Sequence, residues 1–220
     1  MTVDIVGGPL FVSDDEAPLS PDWPSELLES KLHPPWRRSG LVRRAALLER
    51  LKQAEAPIIS VVAPGGYGKS TLLTQWQVES GAAGAWLSLD AYDNDPAVLM
   101  RYLLSALQRI ERIAPDMVRS LMSPGAVELR AASRLLGVAV AAVRSPFTMV
   151  IDHAETIENV RCQDMIGELA LNLPAGSRLA VASRRQPPIP IVTLRAQGRV
   201  VELGADDLGM NELEAGALVR

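Results

Sequence analysis

The sequence predicts an α/β fold, a three-layer sandwich built on a five-stranded, mostly parallel sheet. Three observations carry this expectation. From Pro57 onward, short apolar runs alternate with segments of helical periodicity, the pattern of strand–helix–strand units covered on both faces. The first run, Ile58-Ile59-Ser60-Val61-Val62, leads directly into Ala63-Pro64-Gly65-Gly66-Tyr67-Gly68-Lys69-Ser70 and a helical segment. A later run, Phe147-Thr148-Met149-Val150-Ile151, ends on Asp152.

Taken in order, residues 1–25 carry Asp4, Asp14, Asp15, Glu16 and Asp22 among several prolines, with little periodicity. They read as a disordered or loosely attached tail. Residues 26–56 form a lead-in, and 44–54 within it read as a short amphipathic helix. The core is expected over 57–220, with strands near 58–62, 85–89, 147–151, 178–183 and 199–203. A helix starts at Ser70. Leu99, Tyr102, Leu103, Ala106, Leu107 and Ile110 make one apolar face of another, capped by Asp95 with Pro96 at its first position. A further helix is expected over about 127–143.

Composition narrows the class. The 220 residues are 48% hydrophobic and 22% charged, an ordinary balance for a chain that buries a sizeable core. A net charge of −4 argues against direct nucleic-acid binding by this chain, which needs a clustered basic face. Cys162 is the single cysteine, so no internal disulfide forms, as suits a reducing cytoplasm. The start of the chain lacks the basic and apolar runs of a signal peptide. The most apolar helix is interrupted by Arg134 and Arg144, which excludes a membrane span. The expected location is cytoplasmic.

The chemistry concentrates in three places. In the loop, Pro64, Gly65, Gly66, Tyr67 and Gly68 let backbone N–H groups turn inward around phosphates, and the helix beginning at Lys69, Ser70 and Thr71 adds the positive end of its dipole. Lys69 reaches the β- and γ-phosphates of a nucleotide, and the Ser70 hydroxyl ligates Mg²⁺. Ala63 stands where the full pattern has glycine. A ligand-free glycine-rich turn is the alternative, but Gly-Lys-Ser at a helix start after an apolar strand is seldom accidental. Asp152 at a strand end is expected to hold Mg²⁺ through water as the Walker B carboxylate. His153 occupies the place where many ATPases carry a water-polarising acid, and Glu155 is the nearest substitute. The third place is Ser183-Arg184-Arg185, where a guanidinium suits a γ-phosphate; a solvated basic turn is the competing reading.

Four stretches together carry a family resemblance. Lys31-Leu32-His33-Pro34-Pro35 with Gly40-Leu41-Val42-Arg43-Arg44, the loop Ala63–Leu73, Trp86–Asp90 with Asp93–Pro96, and Leu173–Arg178 with Ser183–Pro188 resemble the nucleotide-binding domain of STAND ATPases. In particular they resemble the large ATP-binding LuxR-type transcriptional regulators related to the maltose activator. The resemblance implies a P-loop NTPase of the ASCE/AAA-like kind that binds ATP or ADP with Mg²⁺. It places Val42 and Arg44 near the adenosine and makes Arg184 a γ-phosphate sensor. Such regulators continue into a winged-helix lid, sensor repeats and a helix-turn-helix, none of which follows here. The chain thus reads as a fragment, or as a short form whose partner protein supplies the rest.

Three functions compete at this level: an ATP-dependent signalling switch with slow hydrolysis, a catalytic enzyme such as a small-molecule kinase, and a nucleotide-independent interaction module. The absence of an acceptor-pocket or arginine-rich lid motif weighs against the second, and intact Lys69, Ser70 and Asp152 against the third. The basic cluster Arg37, Arg38, Arg43, Arg44, Arg50 and Lys52, with only Trp36 interleaved, is read as Arg43 or Arg44 beside the nucleotide and the others solvated.

Overall fold

The computed structural model describes residues 27–35, 41–122, 129–210 and 214. The expected tail and Trp36, Arg37 and Arg38 lie outside these residues. Five strands form one sheet: β1 (Ile58–Val62), β2 (Ala83–Ser88), β3 (Phe147–Asp152), β4 (Arg178–Ser183) and β5 (Val200–Leu203). Every pairing is parallel, in the order β2-β3-β4-β1-β5. The sheet is therefore wholly rather than mostly parallel, as fits strands buried on both faces.

Eight α-helices accompany it among the described residues: α1 (Ala45–Gln53), α2 (Lys69–Ser80), α3 (Pro96–Gln108), α4 (Pro115–Met122), α5 (Leu129–Ala141), α6 (Val160–Leu171), α7 (Ile191–Ala196) and α8 (Ala205–Leu208). The Asp95 side chain accepts from the N–H groups of Ala97 and Val98, and Pro96 opens α3 as expected. Helices α4, α6, α7 and α8 went unread. Between β2 and β3 lie three helices rather than two, because α4 is short and buries only Val118 and Leu121.

Pleating sorts the strand side chains into two cores. Leu87, Met149, Ile151, Leu179 and Val181 pack with α3, α5 and α6 on one face. Trp86, Val150, Ala180, Ala182, Ile59 and Val61 pack with α1 and α2 on the other. These are the three layers of the expected sandwich.

The lead-in is anchored by a buried charge. Lys31, in the 3-10 turn Glu29–Leu32, donates to both carboxylate oxygens of Asp93 at 2.7 and 2.6 Å and lies 3.0 Å from Asp90. Its ammonium also stands 4.6 Å from the Tyr102 ring centre, within cation–π range. Burial works against the Lys31 charge, but the hydrogen bonds to Asp93 and Asp90 outweigh it and raise its pKa.

Asp93 is fully buried, so Asp93→Ala strands a buried cation and is expected to cost about 3–5 kcal/mol. Urea unfolding followed by circular dichroism checks this. Arg43→Ala, which breaks an exposed pair with Glu79, should leave the midpoint unmoved.

Candidate functional site

The loop between β1 and α2 turns on two glycines. Gly66 and Gly68 have φ of +84° and +78°, a region that side chains with a Cβ enter at a cost. Gly68 is also the residue before the first turn of α2, and no side chain caps that helix. The N–H groups of this first turn are thereby presented to the loop's concave side. Lys69 Nζ donates to the carbonyls of Ala63 at 2.7 Å and Pro64 at 2.9 Å. Ser70 and Thr71 follow in the first turn, both half-buried, whereas Tyr67 is exposed.

Charges from three other segments converge on Lys69. Burial lowers its pKa, Glu155 and Asp152 draw it back up, and Arg184 lowers it further. The carboxylate at the end of β3 and the groups following β3 and β4 are thus assembled around the loop lysine.

Asp152 is 2% exposed, aligned with Ser88 of β2, and its carbonyl accepts from Leu89 N at 2.9 Å. The chain then bends sharply. His153 is the one positive-φ non-glycine among the described residues, at +58°. Its N–H donates to Asp152 Oδ1 at 2.9 Å, which fixes the carboxylate against its own backbone. His153 Nδ1 lies 3.7 Å from Asp152 Oδ2, beyond hydrogen-bond range.

β4 lies between β1 and β3, so its end adjoins both. Ser183 pairs with Val62, and Ala63 N donates to the Ser183 carbonyl at 3.2 Å. Arg184 then meets Glu155 twice: its N–H donates to Oε2 at 3.0 Å, and Nε stands 3.1 Å from Oε1. Its guanidinium lies over the loop, with Cζ 3.7 Å from the position a Cβ on Gly65 would take. Arg185 turns elsewhere and donates to the Glu155 carbonyl at 2.7 Å and to the Glu158 carboxylate at 2.9 Å. β4 ends at Ser183, so strand alternation does not reach either arginine, and they divide because they take different groups of the 155–158 segment. A cleft of about 370 Å³ beside Ile157, Gln163 and Pro188 opens on the Arg185 side, away from Lys69.

The lead-in residues Val42 and Arg44 reach α2 through backbone. Gln75 Nε2 donates to the Val42 carbonyl at 3.0 Å, and Arg44 N donates to Gln75 Oε1 at 3.2 Å. The guanidinium of Arg44 is buried and committed to the end of α8. It donates to the carbonyls of Leu208 and Gly209 at 3.0 and 3.1 Å and pairs with Glu214 at 3.1 Å. Arg43 pairs with Glu79, and Arg50 with Asp207. Gln75 escaped notice because its partners are more than thirty residues away in the chain.

The residues present suit a Mg²⁺–nucleotide. Uncapped N–H groups behind two left-handed glycines match phosphate oxygens, and the Ser70 hydroxyl with the buried Asp152 carboxylate offers the hard oxygen ligands that Mg²⁺ takes. The loop, the aspartate-bearing strand and the strand inserted between them define a P-loop NTPase.

Comparison with known proteins sharpens this. No family model matches the chain. It is 30% identical over 194 residues to the HTH-type transcriptional regulator MalT of Klebsiella pneumoniae, covering 86% of the chain and 21% of the relative. The Yersinia enterocolitica MalT is 30% identical over 191 residues, with the same coverage. In fold it is similar to the STAND protein PH0952 of Pyrococcus horikoshii, which has a tetratricopeptide repeat sensor, with a TM-score of 0.52 at 16% identity over 84% of the chain and 26% of that structure. The chain is thus similar to one segment of the MalT regulators, and its fold is the P-loop ATPase fold that it shares with a STAND protein. It spans about a fifth of the length of the curated relatives it matches.

The two left-handed glycines and Gly65 differ in what they tolerate. Gly68→Ala forces a side chain into the left-handed region and is expected to cost about 1–2 kcal/mol of stability. At Gly65 a Cβ would meet Arg184 only at ordinary contact distance, so Gly65→Ala should melt within a degree or two of the parent. Paired thermal melts test both.

Proposed function

We propose that this domain is a signalling switch operated by Mg²⁺-ATP and Mg²⁺-ADP, and that it belongs to a transcriptional regulator of the LuxR type. The observation that carries this reading is that the glycine loop after β1, Asp152 at the end of β3 and the Glu155–Arg184 pair emerge along one edge of the parallel sheet, where β4 adjoins both β1 and β3. Gly65, Gly66 and Gly68 wrap the phosphates, with Pro64 and Tyr67 flanking them. Lys69 bridges the β- and γ-phosphates, and Ser70 and Asp152 hold Mg²⁺, with Thr71 in the same turn. The backbone of Val42 and Arg44, tied to α2 through Gln75, borders the adenosine.

Switching requires an interaction that differs between the two nucleotides. Arg184 supplies it: held by Glu155 over Gly65, it can exchange that carboxylate for a γ-phosphate, which ADP lacks. The partner that reads this exchange is a further protein segment, in the same chain or a separate one. Pairing of Arg43, Arg44 and Arg50 with acidic side chains favours a protein partner over direct nucleic-acid contact. With no acid directly following Asp152, turnover is slow.

Calorimetric titration with ATP and ADP in Mg²⁺ tests the reading. Lys69→Ala should abolish ATP binding while preserving the fold; unchanged affinity would sink the phosphate-site assignment. Hydrolysis by the parent should run well below about 10 s⁻¹.

Arg184→Ala should weaken ATP by about 1.5–3 kcal/mol, the worth of one charge-assisted contact, and spare ADP. Arg185→Ala should spare both. An ATP-selective loss from Arg185→Ala instead would assign the sensor role to the other arginine.

A further inference from the structure

Asn94 lies at the exit of β2, outside every group assigned above, yet its side chain is fully used. Nδ2 donates to the Ala91 carbonyl at 3.1 Å and to the Thr156 carbonyl at 2.7 Å. Oδ1 accepts from Glu158 N at 2.7 Å and Asn159 N at 3.0 Å. Two donors and two lone pairs are all an amide offers, and here each has a partner. The Asn94 carbonyl also accepts from Asn159 Nδ2 at 2.8 Å. Two carbonyls face the NH₂ and two N–H groups face the oxygen, so the network permits one orientation only.

This staple holds residues 156–159, the continuation of Glu155. That short stretch positions both arginines: the Glu155 carboxylate holds Arg184, while the Glu155 carbonyl and the Glu158 carboxylate hold Arg185. The staple is itself anchored. Asp93, one residue earlier, forms the buried pair with Lys31 and accepts from Asp90 N at 2.7 Å. Asp95, one residue later, caps α3. Three consecutive side chains thus brace the lead-in, the segment after β3, and a long helix.

We infer that Asn94 is a positioning residue: by fixing residues 156–159 it sets the Glu155–Arg184 pair over Gly65, and so sets the discrimination between nucleoside triphosphate and diphosphate. The inference rests on the nucleotide reading above. A staple that merely stabilised the fold would affect both nucleotides alike, whereas one acting through Arg184 affects the triphosphate and has no further effect once Arg184 is gone.

The experiment is a double-mutant cycle on the full chain, titrating Mg²⁺-ATP and Mg²⁺-ADP into the parent, Asn94→Ala, Arg184→Ala and the double variant. Asn94→Ala should weaken ATP by about tenfold, at the lower end of losing a charge-assisted contact, and change ADP by less than twofold. In the Arg184→Ala background it should add less than twofold. Asn94→Asp keeps both accepting contacts but turns a carboxylate toward the carbonyls of Ala91 and Thr156. It should show an intermediate, ATP-selective loss, and it applies the same criteria if Asn94→Ala does not fold. Equal weakening of ATP and ADP overturns the inference, as does a penalty that persists undiminished without Arg184. A parent that binds neither nucleotide overturns the nucleotide reading itself, and the inference with it.

Discussion

β4 shares backbone hydrogen bonds with β1 on one side and β3 on the other, and most of the site depends on that placement. In a wholly parallel sheet all strand ends of one polarity lie along one edge. The loop after β1, the carboxylate ending β3 and the arginines after β4 therefore emerge as neighbours. Side-chain attraction is not needed to bring them together. Register does the aligning: Val62 stands beside Ser183, and Ile151 beside Val181. Open α/β sheets bind ligands at this carboxyl edge for the same reason.

Once gathered, the charges hold one another in a graded arrangement. Asp152 is buried and pinned by the N–H of His153, so its oxygens face a fixed direction. Glu155 is mostly buried and neutralised by the more exposed Arg184. Lys69 sits within the field of all three. A rigid carboxylate suits a metal, whereas an arginine resting on a carboxylate that it can exchange suits a reversible response. Strain is stored at the same place, since His153 takes a left-handed conformation immediately after Asp152.

Two buried cations tie the lead-in to the core from opposite sides. Lys31 joins the exit of β2 through Asp93, and Arg44 joins the end of α8 through two carbonyls and Glu214. Each loses hydration on burial, and the opposing oxygens around it offset that loss. Between them, Gln75 links residues 42–44 to the helix that starts at Lys69. Among the described residues no helix is long and apolar enough to cross a membrane.

The sequence by itself determined the strands, the glycine loop, the helix capped by Asp95 and the aspartate closing β3, since these rest on periodicity and on neighbours within a few residues. The preference for Arg184 over Arg185 came from the Ser-Arg resemblance, since β4 ends at Ser183 and alternation along it reaches neither arginine. The short helix α4 was not legible, for lack of a long enough apolar pattern. Tertiary structure alone decided where the Arg43 and Arg44 guanidiniums go, that Glu155 pairs with Arg184, and that Gln75 and Asn94 serve as braces. Such contacts join residues some thirty to one hundred and seventy positions apart. A hydrogen-bonding side chain satisfies its needs with whatever donors and acceptors the fold brings near, and no local pattern encodes which these will be.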